Sequence, residues 1–284
     1  MKKILLPTDF SDNAWNAIAY ALDLFKNENA TFYILHTYTP LFYRLDYMMG
    51  GPEFSAVPDV GVDISLAGLE KTLADIKSRY HNKKHHYKTV SAFNTLTDEI
   101  IDQCESHQVD LIVMGTQGAT GAKEILLGTN TVYVIRKAKV PVLAIPENYR
   151  FKPIQKILFA VDYWSRYKEA ELQFLNEMVH LNAAKLTVMH AGEEQDLKEV
   201  QLKNKAFLMD YFKSVGAKFE EMKDRYMPNA VHDYIAEHKI DLLAMMNRKH
   251  SFLERLLVKQ NIDAIGYHVK IPFLVMKDTA KISK

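Results

Sequence analysis

The sequence predicts an α/β protein built from two tandem, doubly wound, parallel five-stranded sheets, each with the strand order 3-2-1-4-5. Short apolar runs such as residues 111–114 lack polar alternation, which is typical of parallel strands covered on both faces. Segments with helical periodicity separate these runs, and a helix between two strands favours a right-handed crossover in a parallel sheet. The same series of segments then occurs a second time, which predicts two copies of the fold.

The first copy begins with a short apolar strand at residues 3–9, which ends in a turn. Ser11 is expected to cap the following helix, because a serine hydroxyl can accept a hydrogen bond from an N–H of the first turn. A region without regular structure is predicted between residues 37 and 65, where a Gly-Gly-Pro sequence signals a turn. The remaining predicted elements are strands at 32–36, 87–92 and 140–145, and helices at 66–79, 97–107 and 131–137.

The repeat rests on landmark residues that recur in the same order. Asp9, His36, Asp110 and Pro141 in the first copy correspond to Asp162, His190, Asp241 and Pro272 in the second. Four matches in order indicate a tandem duplication. We therefore predict domains at residues 1–148 and 152–284, with a linker within residues 147–153.

The first copy is the longer one, since the offset between copies falls from 154 residues at His36 and His190 to 131 residues at Asp110 and Asp241. The irregular region 37–65 is the obvious place for the extra residues, and it contains several tyrosines and methionines. Such side chains could cover a bound ligand or a partner. The alternative is an insertion that packs on its own domain, and the sequence favours neither.

The formal net charge of the 284 residues is +1, which gives no case for nucleic acid or acidic membranes as partners. No apolar run approaches transmembrane length. Cys104 is the only cysteine, so no intrachain disulfide can form, and a cytoplasmic protein is predicted. Cys104 is expected to be a buried structural thiol, and the histidine-rich residues 81–86 a solvated turn. We assign no catalytic residue and no metal ligand.

Three glycines and a hydroxyl side chain follow the apolar run at residues 111–114. Gly115 and Gly118 stand where a strand must turn sharply and where backbone can approach a ligand closely. Gly128 and Thr129 then precede a predicted helix. Backbone N–H groups at a helix N-terminus attract anions, because the orphan donors and the helix dipole both favour negative charge. The pattern favours a phosphate-binding loop over ordinary turn glycines.

The spacing G-x2-G-x9-G-[ST] in this loop resembles the nucleotide-binding signature of the universal stress protein family. Residues 4–11, ILLPTDFS, are similar to that family's first strand and loop, and Leu35 and His36 are similar to the end of its second strand. The resemblance covers both copies and is strong only in the first. It implies an adenine nucleotide alpha-hydrolase-like fold, ATP as the ligand with Mg²⁺ as an optional companion, and stress-response regulation through unknown protein partners.

Carried over by position, the resemblance implies ten ligand-binding residues. On the base and sugar side they are Pro7, Thr8, Asp9 and Thr37, and on the ribose and phosphate side they are Met114, Gly115, Gly118, Gly128, Thr129 and Asn130. Thr37 departs from the aliphatic residue that is usual in the family, but its contact is expected to use the main chain. For Asp9, contact with ligand or metal and a purely local cap of the backbone both stay open.

The glycines of the loop are absent from the second copy. At the 131-residue offset, Gly115, Gly118, Gly128 and Thr129 correspond to Met246, Lys249, Lys259 and Gln260. We therefore predict that the second copy binds no ATP and is a degenerate, pseudo-twofold packing partner of the first, in place of the dimer that single-domain relatives form. A homodimer of the whole chain is also possible.

Two other function classes remain beside the ATP-binding regulator. One is an ATP-consuming enzyme similar to the ATP pyrophosphatases, which share a Ser-Gly-Gly loop after the first strand. Residues 7–11 read PTDFS here, which weakens that hypothesis but leaves slow ATP hydrolysis open. The other is an interaction scaffold whose site holds no nucleotide.

Overall fold

The computed structural model describes residues 1–38, 60–116, 128–192, 196–248 and 270–278. The first half contains β1 (Lys2–Pro7), α1 (Asp12–Leu24), β2 (Ala30–Tyr38), α2 (Val60–Arg79), β3 (His85–Phe93), α3 (Leu96–His107), β4 (Leu111–Gly115), α4 (Thr129–Lys137) and β5 (Val142–Ile145). The second half contains β6 (Lys156–Val161), α5 (Glu169–Asn182), β7 (Lys185–Gly192), α6 (Glu199–Tyr211), a 3₁₀ turn (Lys213–Val215), β8 (Lys218–Lys223), α7 (Met227–His238), β9 (Leu242–Met246) and β10 (Phe273–Met276).

The strands form one sheet in the order β3-β2-β1-β4-β5-β10-β9-β6-β7-β8. Each half is parallel and has the predicted order 3-2-1-4-5, which confirms the α/β fold class. The two five-stranded sheets do not stand apart, however, because β5 and β10 pair antiparallel and join them edge to edge. Buried apolar residues from the two faces of this sheet and the helices that cover them form the core.

The joint between the halves has local twofold character. Leu143 pairs with Leu274, and these two residues are equivalents at the 131-residue offset of the repeat. Both are fully buried. An open strand edge at this apolar position would leave backbone N–H and C=O groups without partners, so each half completes the other.

The aspartates that mark the repeat hold equivalent positions in the two halves. The Asp110 carboxylate accepts a hydrogen bond of 2.8 Å from the Lys3 N–H, at the start of β1. The Asp241 carboxylate accepts bonds of 2.9 and 3.0 Å from the N–H groups of Gln155 and Lys156, at the start of β6. Each aspartate therefore ties its strand to the first strand of its own half, which is a structural reason for its recurrence.

Ser11 caps α1 as predicted, since its hydroxyl accepts a bond of 3.2 Å from the Ala14 N–H. The boundaries of two other helices were predicted wrongly. Helix α2 already begins at Val60, within the region predicted to be irregular, because Ser65 is buried against β2 and β3. Helix α4 begins at Thr129 with Gly128 as its N-cap, two residues earlier than predicted.

The prediction of a solvated turn is wrong for His85, which is buried at the start of β3. Its Nε2 atom lies 3.0 Å from the carbonyl oxygen of Phe25. Among the described residues, no group of three or more His, Cys, Asp or Glu side chains is placed to hold a metal ion. No helix in the described ranges is long and apolar enough to cross a membrane.

Cys104 is buried in α3, as predicted. Burial, assisted by the nearby charge of Glu105, raises the pKa of its thiol to about 12. Because the thiolate is the reactive form, we expect a thiol reagent at neutral pH to label the native chain only at the rate of local opening. Reaction in urea should be fast, and equally fast reaction of the native protein, followed by absorbance, would contradict this expectation.

Candidate functional site

The carboxyl ends of β1, β2 and β4 meet at one edge of the first half. Pro7 lies beside Leu35 of β2, and Leu5 lies beside Ile112 of β4. The connection after β1 runs to β2 on one side, and the connection after β4 runs to β5 on the other side. Strands β1 and β4 therefore flank a topological switch point, where ligands of open α/β sheets bind. The sequence predicted this neighbourhood for Asp9 and Gly115.

The loop between β1 and α1 is held by its own hydrogen bonds. The Thr8 N–H donates to the Leu35 carbonyl at 2.8 Å, and the Thr8 hydroxyl accepts from the Phe10 N–H at 3.0 Å. The Asp9 carboxylate accepts from the N–H and the hydroxyl of Ser11 at 3.1 and 2.5 Å. Asp9 is exposed and makes the local cap that was one of its two expected roles. Contact with ligand or metal stays a prediction.

Phe10 has a φ angle of 64°, which is rare for an aromatic residue and carries strain. Its ring stacks on His36 with 4.3 Å between centroids. The Nδ1 atom of His36 lies 2.8 Å from the Ser65 hydroxyl of α2, which in turn lies 2.7 Å from the Ser91 hydroxyl of β3. Burial lowers the pKa of His36, which favours the neutral imidazole, although the negative charge of Asp9 opposes the shift.

Gly115 ends β4 and is buried. A Cβ atom there would lie 2.5 Å from Nδ2 of Asn13, a buried side chain in the first turn of α1. The Gly115 carbonyl accepts a hydrogen bond of 2.9 Å from the Thr131 hydroxyl of α4. Glycine at this position therefore lets α1 approach the end of β4, whereas the sequence analysis explained Gly115 by the ligand alone.

Thr116 and Gly128, the two ends of the glycine-containing loop, are hydrogen-bonded to each other. The Gly128 N–H donates to the Thr116 carbonyl at 2.5 Å, and the Thr116 N–H donates to the Ile145 carbonyl at 2.9 Å. Gly118 and its neighbours, residues 117–127, lie outside the described residues. The Thr116 hydroxyl is buried and has no hydrogen-bond partner within the described ranges. A buried hydroxyl without a partner is costly and suits a site that a polar ligand completes.

The N-terminus of helix α4 lies on this side of the site. Thr129 and Asn130 are exposed in its first turn, where backbone N–H groups have no acceptor inside the helix. No acidic residue lies in that turn, while Arg136 and Lys137 lie in the last one. Gly128 has a φ of −56°, so its backbone alone does not require glycine. The helix end is suited to an anion.

The structure thus gathers most of the residues predicted for the site. Pro7, Thr8 and Asp9 follow or end β1, Thr37 lies near the end of β2, Met114 and Gly115 end β4, and Gly128, Thr129 and Asn130 begin α4. Met114 turns its side chain into the core, so only its main chain remains for a ligand. Sequence reasoning missed Asn13, Thr116 and Thr131, whose only signal was their position beside Gly115 or inside the first turn of a helix.

The second half has a loop equivalent to the one between β1 and α1, and its own side chains fill the space behind that loop. Asp162 accepts a bond of 3.0 Å from the Trp164 N–H, and Tyr163 has a φ of 58° and packs on His190 with ring centroids 5.1 Å apart. Two amide side chains of α6 then bind the loop carbonyls. Gln201 donates to Asp162 at 3.0 Å, and Asn204 donates to Tyr163 at 2.7 Å.

A buried ion pair lies at the carboxyl end of β9, beside Met246, which replaces Gly115. The Arg248 guanidinium is 2.8 Å from the Glu171 carboxylate and 3.9 Å from that of Asp278. It also stacks over the ring of Tyr167 at 4.9 Å. Arg248 and Glu171 are 6% and 2% exposed, so the chain's own side chains occupy this end of the second half. Lys249, Lys259 and Gln260 lie outside the described residues.

Comparison with known proteins agrees with the fold and the repeat. The model of the universal stress protein family matches residues 1–146 and again residues 153–277. A universal stress protein of Methanocaldococcus jannaschii is 30% identical over 149 residues, covering 51% of this chain and 81% of the relative. One from Synechocystis sp. is 26% identical over 295 residues, covering 98% of this chain and all of the relative.

The crystal structure of a universal stress protein from Archaeoglobus fulgidus has a TM-score of 0.70 to this chain at 19% identity, and the match covers 97% of this chain and 98% of the other. Fold and site together define a tandem α/β protein whose first half contains, at the start of α4, a helix N-terminus suited to an anion. The chain belongs to the universal stress protein family, and both halves match it.

Proposed function

We propose that the chain is an ATP-binding regulatory protein of the stress response, with the nucleotide held by the first half. One observation carries the proposal. The acid-free N-terminus of α4 lies close to the buried Thr116 hydroxyl, which has no hydrogen-bond partner among the described residues, at the carboxyl ends of β1 and β4. Together they offer several donors and no negative charge, which suits phosphate.

The roles proposed for the site residues are those that the family resemblance implies. Thr8, Asp9 and the main chain at Pro7 and Thr37 take the base and sugar side. The main chain at Met114 and Gly115 takes the ribose, and Gly128, Thr129 and Asn130 take the phosphates, with Gly118 expected to join them. Mg²⁺, where present, would arrive with the phosphates, and Asp9 offers an exposed carboxylate at that edge.

The second half is, in this proposal, a degenerate copy that binds no nucleotide and serves as a fixed packing partner. Support comes from Arg248 and Glu171, which fill the end of β9, and from the pairing of β5 with β10. Domains at residues 1–148 and 152–284, the cytoplasmic location and the unknown protein partners stay predictions. Slow hydrolysis of ATP is compatible with the proposal, since the Asp9 carboxylate is bound to Ser11 rather than poised as a base.

Binding stoichiometry tests this proposal. We expect calorimetric titration of the full chain with ATP and Mg²⁺ to saturate near one nucleotide per chain. Purified protein should also release adenine nucleotide on denaturation, if the site fills during expression. Two equivalent sites per chain would contradict the assignment of the second half, and no binding at all would favour the interaction scaffold.

A further inference from the structure

Helix α2 contains a glycine that its own backbone does not need. Gly68 lies well inside the helix with an ordinary negative φ, a position where glycine is less favourable than alanine. A Cβ atom at Gly68 would lie 2.4 Å from both Cε2 and Cζ of Phe10. The missing side chain therefore makes a notch that receives the Phe10 ring.

The same ring is held from the side of β2. Phe10 stacks on His36, and His36 in turn meets Ser65, which precedes Gly68 by three residues and so lies on the same face of α2. The strained φ of 64° at Phe10 persists only because its surroundings over-determine it. These contacts make α2 and His36 the groups that hold Phe10, and with it the loop that contains Thr8 and Asp9.

The two halves differ in how the corresponding helix holds this loop. In the second half, Gln201 and Asn204 of α6 bind the loop carbonyls directly, and both amides are buried. In the first half, α2 meets the loop through the Phe10 ring in the Gly68 notch. Packing of a ring lacks the directional preference of a hydrogen bond, so α2 holds its loop by shape where α6 holds its loop by polar contacts.

We infer that α2 positions the nucleotide-binding loop through Phe10, so that Gly68 and His36 set the affinity of the first half for ATP without touching the ligand. The inference rests on the proposed function. A shift of α2 along its axis would move Phe10 and then the Thr8 and Asp9 backbone. Helix α2 is thereby the element through which a change outside the site regulates nucleotide binding.

The test is a double-mutant cycle at the notch. Gly68→Ala should weaken ATP binding by about fivefold or more, because the added methyl group displaces the ring. Phe10→Leu should weaken it as well, while the double variant should be no worse than Phe10→Leu alone, because the smaller side chain no longer meets the methyl group. Glu70→Ala, exposed on the same helix, is the control and should bind as the unmodified chain does.

Two further variants separate positioning from loss of fold. Phe10→Tyr should fold, since Tyr163 occupies the equivalent position at a similar φ, but it should weaken ATP binding as Gly68→Ala does, because its hydroxyl on Cζ would enter the space beside Gly68. Tyr163→Leu should lower the melting temperature but leave ATP affinity unchanged. Equal affinities of Gly68→Ala and the unmodified chain, or additive effects in the cycle, would overturn the inference. Absence of ATP binding by the unmodified chain would instead overturn the proposed function.

Discussion

Replacement of Thr129 by aspartate is expected to weaken ATP binding by at least about a hundredfold. Thr129 is exposed at the first position of α4, so its side chain stands beside the N–H groups proposed to bind phosphate. A carboxylate about 4 Å from a phosphate oxygen costs about 4 kcal/mol for each pair of charges near a protein surface. It would also occupy the helix end as an internal anion.

The matched control is Thr129→Asn, which has nearly the shape of aspartate but no charge. We expect its ATP affinity to fall by much less, whereas its folding should be as intact as that of the aspartate variant. The aspartate variant should melt at the same temperature as the unmodified chain or slightly higher, because an acid in the first turn stabilises a helix by about 0.3–1 kcal/mol. Similar affinities of the two variants in calorimetric titration would remove α4 from the phosphate site.

The second large effect concerns the buried ion pair of the second half. Arg248→Met should lower the free energy of unfolding by about 3–5 kcal/mol, because Glu171 is then left buried without its cationic partner. Methionine has most of the volume of arginine, so the loss of stability measures the effect of the missing charge and not that of a cavity. Urea unfolding followed by circular dichroism measures it.

The double variant Arg248→Met with Glu171→Leu is the control, and it should recover much of the lost stability, since two apolar side chains then replace the pair. ATP affinity at 25 °C should be unchanged in both variants, because the proposed nucleotide site lies in the other half. A fall in ATP stoichiometry caused by Arg248→Met, with the first half still folded, would show that the second half takes part in binding.

Two features of the site show where sequence reasoning succeeded and where it was incomplete. The glycine pattern located the end of β4 and, to within two residues, the start of α4, because a strand end and a helix start each impose local residue preferences. The explanation of Gly115 from the sequence was incomplete. The side chain that occupies the space beside Gly115 belongs to Asn13, about a hundred residues earlier in the chain. Spacing along a sequence cannot report such a contact.

The sequence by itself determined the class of fold, the strand order within each half and the duplication, because buried parallel strands and amphipathic helices leave local, repeating patterns. Tertiary structure alone decided that β5 and β10 join the halves into one sheet, that α2 starts at Val60, and that Arg248 neutralises Glu171. Each of these three features depends on which residues, far apart in the sequence, come into contact in the folded chain. Burial and pairing between such residues outweigh the weak local propensities that a sequence displays.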